Sequence, residues 1–231
     1  MSSRGVCSRR AADKLIVAGR VTVNGKVIRQ LGTNVDTVHD IVAVDGEQVR
    51  EQLDSRIIVF NKPAGVLCTC KAGKEQGPIL LEYLPNDRRY FPVGRLDRDS
   101  SGLLIVTDNG QLAHRLSHPR FGSTKVYRII VSPPLLRSQA MKLAKGVMLS
   151  DGIARAVHVR ELSNKEFELT LSEGRNRQIR RMVSALGSRV VSLTRTEQSG
   201  IRLGSLRPGQ WRELTDDERH RLTASISSST T

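Results

Sequence analysis

The segment GRLDRDSSGLLIVTDNG, residues 94–110, places one carboxylate between arginines and directly before a run of apolar residues. The carboxylate is Asp97, and its basic neighbours are Arg95 and Arg98. Because nearby positive charge lowers the pKa of a carboxyl group, we expect Asp97 to be ionised and able to act as a nucleophile or a base. The same pattern is also typical of a surface ion-pair cluster, which contributes under about 1 kcal/mol to stability.

A tyrosine in a second segment offers an aromatic surface. Tyr127 lies in the alternating pattern KVYRIIV, which predicts a strand. In such a strand an aromatic side chain usually packs in the core. The alternative is that the ring is a platform for a nucleobase turned out of its stack, and the pattern alone leaves both interpretations open.

A third segment, SEGRNRQIRRM over residues 172–182, has one acid, Glu173, and four arginines: Arg175, Arg177, Arg180 and Arg181. A solvated helix face is one interpretation of this charge. However, Ile179 and Met182 are three residues apart and predict an apolar face, beside which one arginine can turn inward. Such an arginine needs a carboxylate partner, because an unpaired buried charge costs several kcal/mol.

The stretch from Gln111 to Arg128 contains no Asp or Glu. Its cations are predicted to form a phosphate-contacting surface, and they are Arg115, Arg120, Lys125 and Arg128. His114 and His118 have the spacing of two zinc ligands on a helix, but no Glu follows His114 and no third ligand is evident. We therefore predict no metal site.

The charge of the chain favours a polyanionic partner. The 231 residues include 37 Lys and Arg against 23 Asp and Glu, a formal net charge of +14, and nucleic acid is the leading candidate. Aromatic residues make up only 3%, which argues against a module that stacks successive bases on an open sheet. No stretch approaches 18 apolar residues, so membrane association is the weaker interpretation.

Three cysteines, Cys7, Cys68 and Cys70, form no even disulfide framework, and their spacing lacks the second pair that a zinc site needs. Reduced thiols and a cytoplasmic location are expected. The N-terminus is basic but has no apolar segment typical of a secretory signal.

The N-terminal residues predict a small unit of helix and sheet over residues 1–48, followed by a polar linker over 49–55. Ser8 can cap the helix RRAADKLIV, and Gly19 can end it. In RVTVNGKVI, the pair Asn24-Gly25 suits the turn of a hairpin, and a second strand precedes Asp45-Gly46. Four cations lie in or near the helix: Arg9, Arg10, Lys14 and Arg20.

A second domain is predicted over residues 56–218. Its expected strands begin at Ile57 and cover residues 102–107, 125–131 and 166–171, and its expected helices cover 111–117, 136–145 and 178–185. Strands often follow one another directly, which indicates an α+β fold rather than a doubly wound parallel sheet. Residues 219–231 are predicted to form a polar C-terminal tail, and its end, SISSSTT, is expected to be disordered.

Five blocks of this domain, in order, resemble the RsuA/RluB/RluF-type ribosomal RNA pseudouridine synthases: NKPAGVLCT, GRLDRDSSGLLIVTDNG, KVYRIIV, LSEGRNRQIRRM and LRPGQWRELT. The segment SRRAADKLIVAGRVTVNGKVI resembles the S4 RNA-binding domain of these enzymes. In that family a helix of the Arg-Leu-x-Lys-x-Leu type usually precedes Ser-Arg-Arg, and this chain begins at MSSRGVCSRR, so the resemblance predicts a shortened S4 unit. It also implies a mixed, largely antiparallel central sheet in the catalytic domain.

The resemblance implies roles for individual residues. Asp97 would be the essential catalytic aspartate, Tyr127 would stack on the target uracil and assist proton removal at its C5, and Arg180 would pair with Asp97. Ile179 would pack beside the base, and Arg95 would enter the RNA where the uridine has flipped out. Asp99 and Asp108 are predicted to be turn or cap residues. The full set of predicted RNA contacts is Arg9, Arg10, Lys14, Arg20, Arg95, Lys125, Arg175, Asn176, Arg177, Ile179 and Arg181.

The reaction that the resemblance implies needs few catalytic groups. The bond from uracil N1 to the ribose breaks and re-forms to C5, so neither water, a redox carrier nor a metal is required, and we expect no cofactor. Hydrolytic glycosidases typically need two carboxylates, whereas here the uracil leaves as a delocalised anion and one can suffice. Asp97 would attack ribose C1′ or remove the C2′ proton, and the sequence does not choose between them.

The expected substrate is ribosomal RNA or a pre-ribosomal particle, and the expected state is a monomer. The segments NRQIRRM and GIRLGSLRPGQWREL favour large-subunit, 23S-type RNA over 16S-type RNA, because they are closer to the RluB side of the family. The alternative is a non-catalytic RNA-binding or ribosome-assembly protein that retains the fold.

Overall fold

The structure is a computed structural model that describes residues 1, 6–36, 38–49, 55–69, 76–117 and 123–227. His118, Arg120 and Cys70, which the sequence analysis singled out, lie outside these residues. Within the described ranges, no helix has the length and apolar character needed to cross a membrane.

The N-terminal unit consists of one helix and a small antiparallel sheet. Helix α1 (Arg9–Val17) begins at Ser8, whose hydroxyl accepts a hydrogen bond from the amide of Ala11 at 3.1 Å. The sheet has the order β2-β1-β3-β4, with β1 (Val21–Val23), β2 (Lys26–Ile28), β3 (Val42–Val44) and β4 (Glu47–Gln48). Asn24 and Gly25 both have positive φ, 50° and 79°, as a type I′ turn requires. The predicted helix, cap and hairpin are confirmed.

A nine-stranded sheet forms the second domain. Its main order is β11-β12-β8-β13-β7-β5-β15, with β14 on β13 and β6 on β7. The strands are β5 (Ile57–Lys62), β6 (Phe91–Pro92), β7 (Ser101–Thr107), β8 (Lys125–Ser132), β11 (His158–Ser163), β12 (Glu166–Leu171), β13 (Arg189–Gln198), β14 (Ile201–Arg202) and β15 (Trp211–Glu213). A separate hairpin pairs β9 (Val147–Leu149) with β10 (Gly152–Ala154).

Helices cover this sheet: α2 (Gly110–Ser117), α3 (Arg137–Lys145), α4 (Gln178–Ala185) and α5 (Asp216–Ser227), with a short 3₁₀ helix at Leu80–Tyr83. The strands around β7 are buried on both faces. One face packs on α2 and α5, and the other packs on the 3₁₀ helix and its neighbours. The strands around β8 bury one face against α3 and α4. The α+β class is confirmed.

The sheet joins its two halves through a parallel pair. Strand β13 lies parallel to β7, with Arg195 opposite Gly102, whereas the other pairings among the named strands are antiparallel. The backbones approach so closely that a Cβ on Gly102 would lie 2.3 Å from the carbonyl oxygen of Arg195. The predicted mixed, largely antiparallel sheet is confirmed.

Residues 216–227 form α5, so a helix covers most of the predicted polar tail. It includes the first three residues of SISSSTT, whose last four lie outside the described residues. Thr215 and Glu218 form a capping box. The amide of Glu218 donates to the Thr215 hydroxyl at 3.3 Å, and the amide of Thr215 donates to the Glu218 carboxylate at 3.0 Å. This arrangement satisfies amides that the first turn leaves unpaired, and Leu222 is fully buried. The capping box and the buried leucine favour a helix at the start of the segment that composition assigned to a polar tail.

Candidate active site

A cavity of about 470 Å³ lies beside the loop that precedes β7, within the size range of small-molecule sites. Several chain segments line it, and three of them carry the predicted catalytic residues. Asp97 comes from the loop before β7, Tyr127 from β8, and Arg180 from α4. The structure therefore brings the three predicted catalytic residues to one cavity. Six of the predicted RNA contacts also line it: Arg95, Lys125, Arg175, Asn176, Arg177 and Ile179.

Asp97 is half-buried in a loop whose backbone is held by hydrogen bonds. The amide of Ser100 donates to the Asp97 carbonyl at 3.1 Å, and the amide of Gly65 donates to the Arg98 carbonyl at 2.7 Å. The Asp97 carboxylate belongs to none of the ion pairs within the described part of the chain. Nearby positive charge comes from Arg177 and Lys62. The carboxylate is thus left available to a substrate.

Lys62 is a fully buried cation that anchors this loop. Its Nζ donates to the carbonyl oxygens of Ser100 at 2.8 Å and Pro63 at 2.9 Å. Burial disfavours the charged form and lowers the pKa of Lys62 to about 8. The lysine joins the end of β5 to the loop that carries Asp97, and the sequence analysis gave it no role beyond its place in the block NKPAGVLCT.

Tyr127 packs in the core and also lines the cavity, so the core interpretation is confirmed, and its use as a platform for a nucleobase stays a prediction. Its side chain is 8% exposed and belongs to the core beneath α4, yet it also borders the cavity. The alternation of β8 places Lys125 and Tyr127 on the same face. Ile179, on α4, packs in the same core and lines the same cavity. A buried ring with an edge on a cavity can pack and bind at once.

The expected partner of Arg180 was wrong. Arg180 Nη2 donates to the carbonyl oxygen of Asp99 at 2.9 Å, and its Nε lies 3.4 Å from the Asp99 carboxylate. Arg177 also binds that carboxylate, through two hydrogen bonds. Asp99 is therefore the residue of this loop that faces α4, whereas Asp97 faces the cavity. The inward arginine has a carboxylate partner, as expected, but a different one.

Asp99, predicted to be a turn or cap residue, also forms ion pairs with Arg177 and Arg180. Burial raises the pKa of its carboxyl, but the hydrogen bonds and charges of Arg177 and Arg180 outweigh that effect and hold the pKa below its usual value. Asp108 is a buried structural residue, since it accepts the Arg56 amide at 2.9 Å and pairs with Arg88 Nη1 at 2.9 Å.

The other arginines of the 172–182 segment also have partners within the protein. Arg175 Nε pairs with Glu173 at 3.1 Å, and its Nη2 donates to the carbonyl of Ile153 at 3.0 Å. Arg181 makes a bidentate pair with Asp151, at 2.9 Å for each bond, and does not line the cavity. These contacts fix the hairpin β9–β10 to α4. Their role in RNA binding stays a prediction.

The N-terminal cations lie apart from the cavity lining. Arg9, Arg10 and Lys14 are exposed on α1. Arg20 forms a bidentate pair with Asp45, with bonds of 2.8 and 2.5 Å. The predicted RNA contacts of this unit also stay predictions.

Arg195 is the residue that sequence reasoning missed most clearly. It lies on β13 directly opposite Tyr127, is 1% exposed, and borders the cavity. Its Cζ lies 6.0 Å from the centroid of the Tyr127 ring. The alternation in SLTRTEQ was the only available signal, and it does not show which face of the strand is buried.

The site can supply an aromatic surface, several fixed cations and the carboxylate of Asp97, whereas Glu173, the other carboxylate of the lining, is paired with Arg175. Among the described residues, no group of three or more His, Cys, Asp or Glu side chains is placed to hold a metal ion. One carboxylate beside a positively charged wall suits a reaction that passes through a base-derived anion.

Two family models and several relatives match this chain. Residues 56–185 match the family model described as RNA pseudouridylate synthase, and residues 1–42 match the S4 domain. The chain is 37% identical over 227 residues to a Bacillus subtilis protein named ribosomal large subunit pseudouridine synthase B, covering 95% of this chain and 92% of the relative. It is 34% identical over 220 residues to the Escherichia coli dual-specificity RNA pseudouridine synthase RluF, covering 94% and 74%.

A solved structure has the same fold over nearly the whole chain. A crystal structure of a pseudouridylate synthase aligns with a TM-score of 0.69 and 27% sequence identity, covering 96% of each chain.

Proposed function

This chain belongs to the RNA pseudouridylate synthase family, whose members are isomerases, and we propose that it converts a uridine of large-subunit ribosomal RNA to pseudouridine. The observation that carries the proposal is the cavity in which Asp97 and Tyr127 meet, beside fixed cations. The Bacillus subtilis relative, named for the large subunit, and the RluB-like segments support 23S-type over 16S-type RNA.

Asp97 performs the step at the ribose. The bond from uracil N1 to C1′ breaks with its electron pair on the base, and Asp97 either bonds to C1′ or removes the C2′ proton. The uracil then turns and C5 bonds to C1′. On the first route the Asp97–C1′ bond breaks as this bond forms, and on the second Asp97 returns the proton to C2′. The C5 proton then leaves while N1 gains one. The product is an isomer of the substrate. Asp97 suits either route because it lies on the cavity and has no ion-pair partner among the described residues.

The target uridine must leave its stack to reach Asp97, at a cost of a few kcal/mol. Tyr127 receives the uracil on its ring and assists removal of the C5 proton, and Ile179 packs beside the base. Arg95, exposed at the cavity, occupies the place in the RNA that the base has left. Exposed cations such as those of α1 contact phosphates and offset part of this cost.

The test is tritium release from ribosomal RNA transcripts labelled at uridine C5, since formation of the new C–C bond expels that hydrogen. We expect release from the large-subunit transcript. Wild-type protein that releases no tritium from either subunit's RNA overturns the proposal.

A site-resolved pseudouridine map of RNA from cells lacking the gene then identifies the uridine. One missing pseudouridine in 23S-type RNA is expected. An unchanged map indicates a binding or assembly protein instead. A missing site in 16S-type RNA overturns only the choice of subunit.

A further inference from the structure

Arg195 presents a buried guanidinium that the protein itself does not satisfy. Its Nε donates to the carbonyl oxygen of Leu103 at 2.6 Å. Its Nη2 is shielded from solvent and has no hydrogen-bond partner among the described residues. A buried donor without an acceptor costs free energy, and charge makes that cost larger. Such a group calls for a specific explanation.

The surroundings of Arg195 do not neutralise its charge. It belongs to no ion pair with a carboxylate in the described part of the chain. Its Cζ lies 6.0 Å from the Tyr127 ring centroid, within range of a cation–π contact. Lys125 lines the same cavity, and burial, together with the charge of Arg195, lowers the pKa of Lys125 to about 8. This part of the cavity wall therefore has an excess of positive charge.

The positive charge of Arg195 and Lys125 beside the cavity implies that a negatively charged group binds there during function. Asp97 is fixed in the cavity from the start, so the additional negative charge must belong to the substrate. Phosphates remain on the RNA backbone, whereas a base received on Tyr127 lies next to Arg195. In the proposed reaction, the base becomes anionic when the N1–C1′ bond breaks, with charge shared among N1 and the two carbonyl oxygens.

We propose that Arg195 is a further catalytic residue, whose guanidinium donates a hydrogen bond to a uracil carbonyl oxygen and stabilises the anion formed on cleavage of the N1–C1′ bond. This inference rests on the proposed function. The electron pair of the broken bond moves onto the uracil, and Arg195 neither gains nor loses a proton. Its charge is in place before the reaction, so no rearrangement is needed when the bond breaks.

The experiment compares Arg195→Met with Arg195→Lys on two RNA substrates in single-turnover conditions. One substrate has uridine at the target position, and the other has 5-fluorouridine. Fluorine withdraws electrons and makes the uracil anion more stable, so the second substrate depends less on a cation from the enzyme. The measured quantity is the rate at which the intact target nucleoside disappears.

We expect Arg195→Met to slow the reaction of uridine by about 100-fold, the loss typical of one such donor, and that of 5-fluorouridine at least tenfold less. Arg195→Lys keeps a charge and should recover part of the rate on uridine. Arg175→Met is the matched control, since Arg175 lines the cavity but pairs with Glu173. Its losses on the two substrates should be equal.

The outcomes separate the inference from the function beneath it. An active wild type with equal losses on both substrates in Arg195→Met, or a lysine variant no faster than the methionine variant, overturns the role of Arg195 alone. If Arg195→Met does not fold, as circular dichroism would show, the ratio of the two losses is measured for Arg195→Lys, where equal losses have the same meaning. Wild-type protein that converts neither substrate overturns the function and this inference together.

Discussion

Arg177 and Asp99 form a bidentate ion pair, with Nη1–Oδ1 and Nη2–Oδ2 distances of 3.1 and 2.9 Å. The pair joins the start of α4 to the loop of Asp97. Arg177 has a left-handed backbone, with φ of 47°, a conformation that costs a non-glycine residue about 1 kcal/mol or more. Its side chain reaches Asp99 from this unusual backbone, so the pair holds the loop against the helix.

Asp99→Asn should lower the single-turnover rate about tenfold, because the loop that carries Asp97 loses its ionic tie to α4 and small misplacements are costly. RNA affinity should rise slightly, since Arg177 becomes available to phosphate. The measurements are the rate and the Kd on the same transcript. Glu168→Gln, which removes an ion pair with Arg160, is the control and should change neither. An unchanged rate in Asp99→Asn would show that the loop is held by other contacts.

Asp97→Asn should abolish tritium release, by more than about 10³-fold, because an amide can neither bond to C1′ as a nucleophile nor accept the C2′ proton at useful rates. RNA binding should stay within about threefold of wild type, since the substitution keeps the volume of the side chain. Filter binding and tritium release on one preparation provide both numbers. Turnover close to wild type would remove Asp97 from the role assigned to it.

Arg95→Ala should slow the reaction about tenfold on folded ribosomal RNA and much less on a short single-stranded RNA of the same sequence. In the folded RNA the target base must be unstacked, whereas in the short strand that cost is already small. Arg98→Ala is the matched control, since this exposed neighbour does not line the cavity. Equal losses on both RNAs would indicate that Arg95 only contributes positive charge.

Lys125 makes the stability of the protein depend on pH. Its pKa is about 8 in the folded chain, because of burial and the charge of Arg195, against an ordinary value of 10.5. Between these values the unfolded state binds more protons than the folded state. The free energy of unfolding therefore rises with pH in this window.

Lys125→Met should remove this contribution. From pH 7.5 to 9.5, the wild-type free energy of unfolding should increase by about 2 kcal/mol more than that of the variant. Urea unfolding at both pH values measures the difference, and Lys145→Met, on the exposed side of α3, should behave as wild type. An identical increase in Lys125→Met would contradict the lowered pKa.

Gly102→Ala should destabilise the protein by about 3 kcal/mol or more, because φ is +102° and the new Cβ would meet the Arg195 backbone at 2.3 Å. Gly200→Ala is a matched control, with φ of +76° and no atom within 4 Å of the new Cβ. The control should cost about 1 kcal/mol. Urea unfolding compares the two, and equal costs would show that the strands can separate without penalty.

Short sequence patterns predicted the elements that depend on contacts between residues close in the chain. The Ser8 cap and the Asn24-Gly25 turn involve neighbours in sequence, and the apolar run of β7 identifies a strand buried on both faces. Asp97 and Tyr127 could be selected because their motifs are distinctive.

The partners of these residues could not be predicted from the sequence. Asp97 and Asp99 are two residues apart, and only the position of α4 decides that Arg180 pairs with the second of them. Lys62 and Arg195 resemble ordinary strand residues in sequence, and they become buried cations only after distant strands pair around them.

The parallel pair of β7 and β13 has a consequence for how the enzyme acquires activity. Leu103 and Arg195, bonded across this pair, are 92 residues apart in sequence. The pairs β5–β7 and β8–β12 join segments closer in the chain, whereas the cavity exists only after β13 has paired with β7. Since long-range contacts form slowly, activity should be among the last properties to return on refolding, later than most of the secondary structure.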